Sequence, residues 1–240
     1  MTSPVLILGG SGGIGSAVAQ ALVARGTPVH LAARDGARLA PLARSLKAPY
    51  TAMDATDQDD VERTLAEAGD TLSGLVYAVG SIVIKPFEKA RAEDFLEAYR
   101  LNLVGAAMAL QAAAPALGRG KGAAVLFSTV AAAQGFANHT VIAAAKGAVE
   151  AFTRAAATDL APAIRVNCIA PSLTRTPLAE AFTANQTMAR GLGKLHALER
   201  LGEAEDVAGL AAFLVGPDAD WITGQVIGVD GGRSTLRTKG

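Results

Sequence analysis

The stretch that most limits the fold is Val5-Leu6-Ile7-Leu8-Gly9-Gly10-Ser11-Gly12-Gly13-Ile14-Gly15. Four apolar residues run straight into a glycine-rich loop. A continuous apolar run of this kind marks a strand buried on both faces, as in a parallel sheet. The glycines let the backbone turn tightly and approach a ligand that a Cβ would block. Residues 16–25 then read as a helix with Val18, Leu22 and Val23 on one face. Its first turn offers free N–H groups and the positive end of a dipole, a place for phosphate. Gly10-x-Gly12-x-x-Gly15 fits the dinucleotide fingerprint. Taken alone, these residues also fit a glycine-rich turn with no ligand.

The rest of the chain extends the same pattern. Strand-like stretches fall at residues 29–33, 50–53, 75–79, 123–127, 165–169 and 225–229. Helical stretches separate them at 37–46, 61–68, 93–117, 140–160 and 207–214, and 177–201 mixes helices and loops. The alternation predicts an α/β fold: a doubly wound, Rossmann-type parallel sheet of about seven strands with helices on both faces. With no repeat, linker or composition shift, residues 1–240 read as one domain. Hydrophobic residues are 50% and charged residues 18%, enough for a large core.

Totals of 22 Lys+Arg and 22 Asp+Glu leave no basic excess, so neither nucleic acid nor an anionic membrane is expected as a partner. No apolar run reaches membrane-spanning length without Gly or polar breaks, and Thr2-Ser3-Pro4 leads directly into the first strand. A cytoplasmic location is the expectation. Cys168 is the only cysteine, which excludes an intramolecular disulfide and a cysteine metal cluster. His30 and His196 lack partners at ligand spacing, so no metal is expected.

Further motifs follow in order. Gly9-x-x-x-Gly13-x-Gly15 is joined by Asp54 after the third strand, and by Asn102 in Leu101-Asn102-Leu103-Val104-Gly105. Lys146 stands in Ala145-Lys146-Gly147-Ala148-Val149, and Ile164-Arg165-Val166-Asn167-Cys168-Ile169-Ala170-Pro171 forms the sixth strand. Arg200-Leu201-Gly202, Glu205-Asp206-Val207-Ala208, Ile222-Thr223-Gly224-Gln225 and Val229-Asp230-Gly231-Gly232 close the series. Over residues 5–232 the chain resembles the short-chain dehydrogenase/reductase family. The resemblance implies hydride transfer between a nicotinamide dinucleotide and a small-molecule substrate. It implies cofactor contacts from Gly9, Ser11, Gly13, Ile14, Gly15, Asp54, Ala78, Gly80, Lys146 and Thr176. It also implies a homodimer or homotetramer, since the alanine-rich helices 106–116 and 143–157 face across subunits in relatives.

The end of the second strand selects the nucleotide. A carboxylate there would bind the ribose diol of NAD, and an arginine would pair with the extra phosphate of NADP. The family's acidic position falls on Ala33, and Arg34 follows, with Asp35 one step further. Ala33 removes a repelling charge and a guanidinium suits bidentate phosphate binding, so NADP(H) is preferred over NAD(H). The competing reading pairs Arg34 with Asp35, Asp54 or Asp57. Two positions depart from the family: Leu8 replaces a threonine, and Tyr77-Ala78-Val79-Gly80 replaces Asn-Asn-Ala-Gly. Tyr77 lines either the adenosine pocket or the inner face of the sheet.

The family's chemistry rests on serine, tyrosine, lysine and asparagine. Its tyrosine stands four residues before the lysine and thirteen after the serine; here those positions hold Ile142 and Thr129. A threonine hydroxyl bonds as a serine does, but Ile142 transfers no proton. Without a positioned acid, hydride transfer to a ketone loses roughly 10²–10⁴-fold. Residues 139, 142, 143 and 146 share a helix face. His139 is thus one candidate acid and has a suitable pKa; it also fits an ordinary residue of an N-cap region. Seven before the lysine is where the related enoyl-acyl-carrier-protein reductases carry their tyrosine. Thr140, or a water held by Asn102 and Lys146, is another candidate. The catalytic set is therefore Asn102, Thr129, His139 and Lys146.

Residues 172–201 follow the sixth strand at the carboxyl end of the sheet, where ligands of such folds bind, and read as a substrate lid. Thr174 and Thr176 are placed to touch the cofactor. Leu178, Phe182, Met188, Leu192 and Leu195 give the lid an apolar side, facing either a hydrophobic substrate or the domain itself. Ser172 replaces a glycine common after the proline. The leading expectation is an oxidoreductase acting on a carbonyl or a polarised C=C or C=N bond, with a non-tyrosine proton donor. The alternatives are a catalytically lapsed nucleotide-binding sensor or assembly protein, or a non-redox isomerase or lyase on the same scaffold.

Overall fold

The structure, a computed structural model, describes residues 3–237. Seven strands form one parallel sheet: β1 (Val5–Leu8), β2 (Val29–Ala33), β3 (Tyr50–Ala52), β4 (Gly74–Tyr77), β5 (Ala123–Phe127), β6 (Arg165–Pro171) and β9 (Val226–Val229). Their order is β3-β2-β1-β4-β5-β6-β9. A short second pairing joins β7 (Thr174–Arg175) to β8 (Gly202–Glu203). The order reverses beside β1, which pairs with β2 on one side and β4 on the other. In an open α/β sheet that reversal opens a crevice at the carboxyl ends of the strands.

Alternation along the strands divides the core in two. Leu6, Leu8, Leu75, Tyr77, Leu126, Val166 and Cys168 face one layer of helices. That layer holds α3 (Gln58–Ala68), α5 (Gly105–Gly120) and α7 (Thr140–Leu160). Val5, Ile7, Leu31, Val76, Val125, Phe127 and Ile169 face the other. There α1 (Gly13–Ala24), α2 (Gly36–Leu46) and α10 (Ala204–Val215) cover them. Both strand faces are buried, which is why β1 and β5 read as unbroken apolar runs.

Two helices depart from expectation. α1 starts at Gly13, inside the glycine loop, earlier than residue 16. The helix expected at 93–117 is a rod of three parts: α4 (Ala92–Tyr99), a π-helical turn at Arg100–Val104, and α5. An α-helical Gly105 would bond Leu101 O, but its N–H goes to Arg100 O. Leu101 O instead accepts the Tyr77 hydroxyl at 2.7 Å. A Cβ on Gly105 would collide with that hydroxyl. Tyr77 is thus an inner-face residue, 2% exposed, and does not line the adenosine side.

The rod is apolar overall, with Arg100, Asn102, Gly105 and Gln111 interrupting the run. Ala92–Gly120 is 29 residues long with a mean hydropathy of 1.4 in its most apolar window, long and apolar enough to cross a bilayer by those measures. In the fold its apolar face packs on the sheet through Ala106, Ala109, Leu110, Ala113 and Leu117.

Candidate active site

The glycine loop is built as a cradle. Gly9 has φ +84°, and a Cβ there would stand 2.7 Å from the Ala78 carbonyl carbon. The Gly9 and Gly10 N–H groups both bond Ala32 O, at 2.8 and 3.0 Å, and Ala78 N–H bonds Leu8 O at 2.8 Å. These backbone bonds brace the loop in place of the family's asparagines. Gly15 packs against the Gly9 carbonyl, so α1 enters as close to β1 as two backbones allow. Gly12 caps α1 without a side-chain bond to its first turn, where N–H groups lack intrahelical partners. A Cβ on Gly13 would fall 2.6 Å from Thr176 Cγ2, so Thr176 sits directly over the loop.

The polar residues lie at the carboxyl ends of β4 and β5. Lys146, on α7, is buried and its Nζ donates to Phe127 O at 2.8 Å. Burial lowers its pKa from 10.5 to about 8. Asn102 is 1% exposed in the π-helical turn. Its Nδ2 donates to Ala98 O at 2.9 Å and Ser81 Oγ at 3.1 Å. A Cβ on Gly80 would stand 3.0 Å from Asn102 Oδ1 and 3.2 Å from Lys146 Nζ, so both groups converge on Gly80. Thr129 caps the short helix α6 (Val130–Ala133), accepting from Ala131 N–H at 3.3 Å. Its neighbour Ser128 turns to α7 instead, donating to Glu150 Oε1 at 2.7 Å.

A cavity of about 730 Å³ opens beside these groups. Thr129, His139, Ile142 and Lys146 line it, as do Ile14, Ala78, Gly80 and Thr176 from the cofactor set. Asn102 lies behind Gly80 and off the cavity wall, and Gly9, Ser11, Gly13, Gly15, Arg34 and Asp54 lie outside it too. Ile142 is buried, one helical turn before Lys146. His139 is the N-cap residue of α7, with Nδ1 bound to Ala137 O at 2.6 Å and its ring edge-on to Phe136. Residues 172–201 supply a wall through Leu178, Phe182, Leu192 and Leu195, but Met188 points away and is 47% exposed. The segment contains α8 (Glu180–Thr183) and α9 (Gln186–Gly193).

One pair on that wall escapes sequence reasoning. Ser172 Oγ lies 2.8 Å from His196 Nε2, and both residues line the cavity. They are far apart in the chain, so no local pattern joins them. The one available signal is Ser172 itself, a hydroxyl where a glycine is common.

A family model described as enoyl-(acyl carrier protein) reductase matches residues 9–234. A tropinone reductase homolog of Arabidopsis thaliana is 34% identical over 238 residues, covering 95% of this chain and 90% of that protein. A short-chain type dehydrogenase/reductase of Mycobacterium ulcerans superposes with a TM-score of 0.91 at 33% identity, covering 98% of this chain and 90% of that one. The chain belongs to the short-chain dehydrogenase/reductase family. A third protein, ElxO, solved with NADP bound, superposes with a TM-score of 0.90 at 26% identity, covering 98% of this chain and all, 100%, of its own.

In this short-chain dehydrogenase/reductase the far end of the crevice carries Arg34, exposed just after β2, beside the buried Ala33. Asp35 is committed to capping α2, accepting from Arg38 N–H at 3.0 Å. Asp54 accepts from the Thr56 N–H and hydroxyl, both at 2.8 Å, which holds its carboxyl below the usual range, with a smaller contribution from the Arg34 charge. No ion pair to Arg34 occurs among the described residues. The C-terminal motifs meet as well: Arg200 grips Asp206 with two bonds of 2.6 and 2.8 Å.

Proposed function

We propose that this chain is an NADP(H)-dependent oxidoreductase that moves a hydride to or from a small organic substrate, with a proton donor other than tyrosine. The observation that carries the reading is the convergence of Lys146 Nζ and Asn102 Oδ1 on Gly80, at the edge of a cavity that Thr129 also lines. The residues fit a dinucleotide: a Cβ is excluded at Gly9, Gly13 and Gly15, and the first turn of α1 has no side-chain cap. When bound, that cofactor supplies or accepts the hydride. Gly9, Ser11, Gly13, Ile14 and Gly15 would hold its phosphates. Asp54, Ala78 and Gly80 would bound its adenosine side and the path inward. Lys146 and Thr176 would hold the nicotinamide end.

Thr129 orients the substrate oxygen through its hydroxyl, and the apolar wall from Leu178 to Leu195 excludes water. Arg34 supports the choice of NADP, because it is exposed and has no ion-pair partner among the described residues while Asp35 is engaged elsewhere. The name of the NADP-bound ElxO points the same way. The plant relative's name, tropinone reductase homolog, agrees with carbonyl chemistry. We read the protein in solution as a homodimer or homotetramer. Leu96, 68% exposed, and Val104, 44% exposed, give the α4–α5 rod an uncovered apolar face.

The test is a fluorescence titration with NADPH and NADH, on wild type and Arg34→Ala. Charge-assisted bonds to a phosphate predict a loss of roughly ten- to hundredfold in NADPH affinity and little change for NADH. Equal affinities unmoved by the substitution would remove the NADP assignment. No binding of either would overturn the oxidoreductase reading.

A further inference from the structure

The site lacks its proton carrier at Ile142, and the cavity holds one other hydroxyl–base pair. We infer that Ser172 and His196 form the proton relay of this enzyme, an inference that rests on the oxidoreductase reading above.

Geometry assigns the roles. His196 Nδ1 lies 3.1 Å from Leu192 O and 3.2 Å from Gly193 O. Both are carbonyls and only accept, so Nδ1 carries the ring hydrogen. In the neutral ring Nε2 is then a bare acceptor, and the Ser172 hydroxyl at 2.8 Å donates to it. The two carbonyls also suit the imidazolium, because its Nδ1–H keeps the same partners. Asp230 faces the ring as a nearby negative charge, while its own oxygens are taken by Gly232 N–H, Ser234 N–H and the Ser234 hydroxyl.

Position agrees with the role. Phe127 pairs with Ile169 in the β5–β6 register, so Thr129 stands level with Pro171, one residue before Ser172. Lys146 is tied to the end of β5 through Phe127 O, two residues before Thr129. Ser172 is half-buried on the cavity wall, and His196 behind it is 5% exposed. The rival, His139, sits at the N-terminus of α7 with its Nδ1 bound to Ala137 O and no hydroxyl paired to its ring.

In alcohol oxidation the substrate O–H proton passes to Ser172 Oγ as the Ser172 proton passes to His196 Nε2. The carbinol C–H bond breaks, its electron pair leaves as hydride to an oxidised nicotinamide dinucleotide, and the C=O bond forms. His196 ends as the imidazolium and returns its proton to water. Ketone reduction runs each transfer in reverse.

Two measurements test this. The first needs no substrate: long-range proton–nitrogen NMR of the ligand-free protein at mildly alkaline pH. A hydrogen on Nδ1 and a bare Nε2 are expected for His196, with the Nε2 resonance moving in Ser172→Ala. A hydrogen on Nε2 would leave the Ser172 hydroxyl without an acceptor and overturn the relay. The second follows NADPH consumption with a panel of ketones and α-diketones. Ser172→Ala should lower kcat roughly 10²-fold or more with KM and NADPH affinity nearly unchanged. Ser172→Thr should restore most of it, and free imidazole should partly rescue His196→Ala. Active wild type with an equally active Ser172→Ala would sink the relay alone. Wild type that turns over none of the panel, yet binds NADPH, would sink the oxidoreductase reading and the relay with it.

Discussion

Lys146 is a site residue whose ionisation the fold alters. Burial depresses its pKa to about 8, so the protonated side chain is held at a cost below that pH. In the unfolded chain the group stays charged to about 10.4. The unfolded state therefore binds more protons between those values, and stability rises with pH across the window. Wild type should gain stability relative to Lys146→Met between about pH 8 and 10, as measured by urea unfolding. A constant difference would show that the amine is not desolvated. Ile142, one turn away, permits a complementary experiment. Tyrosine placed there would meet a cavity rather than a packed core, since Ile142 is part of the cavity wall. Adding Ile142→Tyr to Ser172→Ala should restore turnover by roughly 10²-fold in steady-state assays. A double variant as slow as the single one would mean that position 142 does not reach the reacting oxygen.

The rod from α4 to α5 shows what sequence reading captures and what it leaves out. Its length was legible, and so were all seven sheet strands; the inner ones, buried on both faces, are written as continuous apolar runs. The π-helical turn was not. It depends on Tyr77 reaching Leu101 O and on Gly105 leaving room, and those residues meet only after the sheet and helix have packed. The Ser172–His196 contact is hidden for the same reason, being a tertiary hydrogen bond between distant positions. Asn102, Thr129 and Lys146 were legible as candidates through the family resemblance, whose motif positions they occupy. Gly105→Ala should cost about 1–3 kcal/mol in urea unfolding, since the new methyl meets both the Tyr77 hydroxyl and Ala55 O. A neutral substitution would mean that the rod shifts freely along the sheet. Tyr77→Phe should cost about 1–2 kcal/mol by leaving Leu101 O without its partner.

At the scale of the whole molecule's response to acid, two of the four C-terminal motifs are bound into one acid-sensitive unit. The two-pronged Arg200 contact, with the Glu203 N–H, holds Asp206 down to about 2. A depressed carboxylate contributes stability above its unfolded pKa of about 3.9 and loses it as pH falls through the folded value. The stability lost in Arg200→Ala should therefore be present at neutral pH and vanish as the pH falls from about 4 toward 2. Thermal melts over that range measure it, and a gap that persists at the acid end would assign the contact to packing instead of charge.

The β7–β8 pairing closes the segment between them into a loop with a fastened base. Thr174 pairs with Gly202 and Arg175 with Glu203, and an Arg175–Glu203 ion pair of 3.3 Å reinforces the clasp. Residues 176–201 hang from it like a purse from its frame. Further ties hold the loop to the stretch after β9, where Leu198 N–H bonds Gly231 O at 3.1 Å and Arg233 bonds Leu195 O at 3.1 Å. The Ser172–His196 bond runs across this frame: Ser172 belongs to the sheet side, and His196 to the purse. An outward swing of the loop would part hydroxyl from imidazole and take the relay apart.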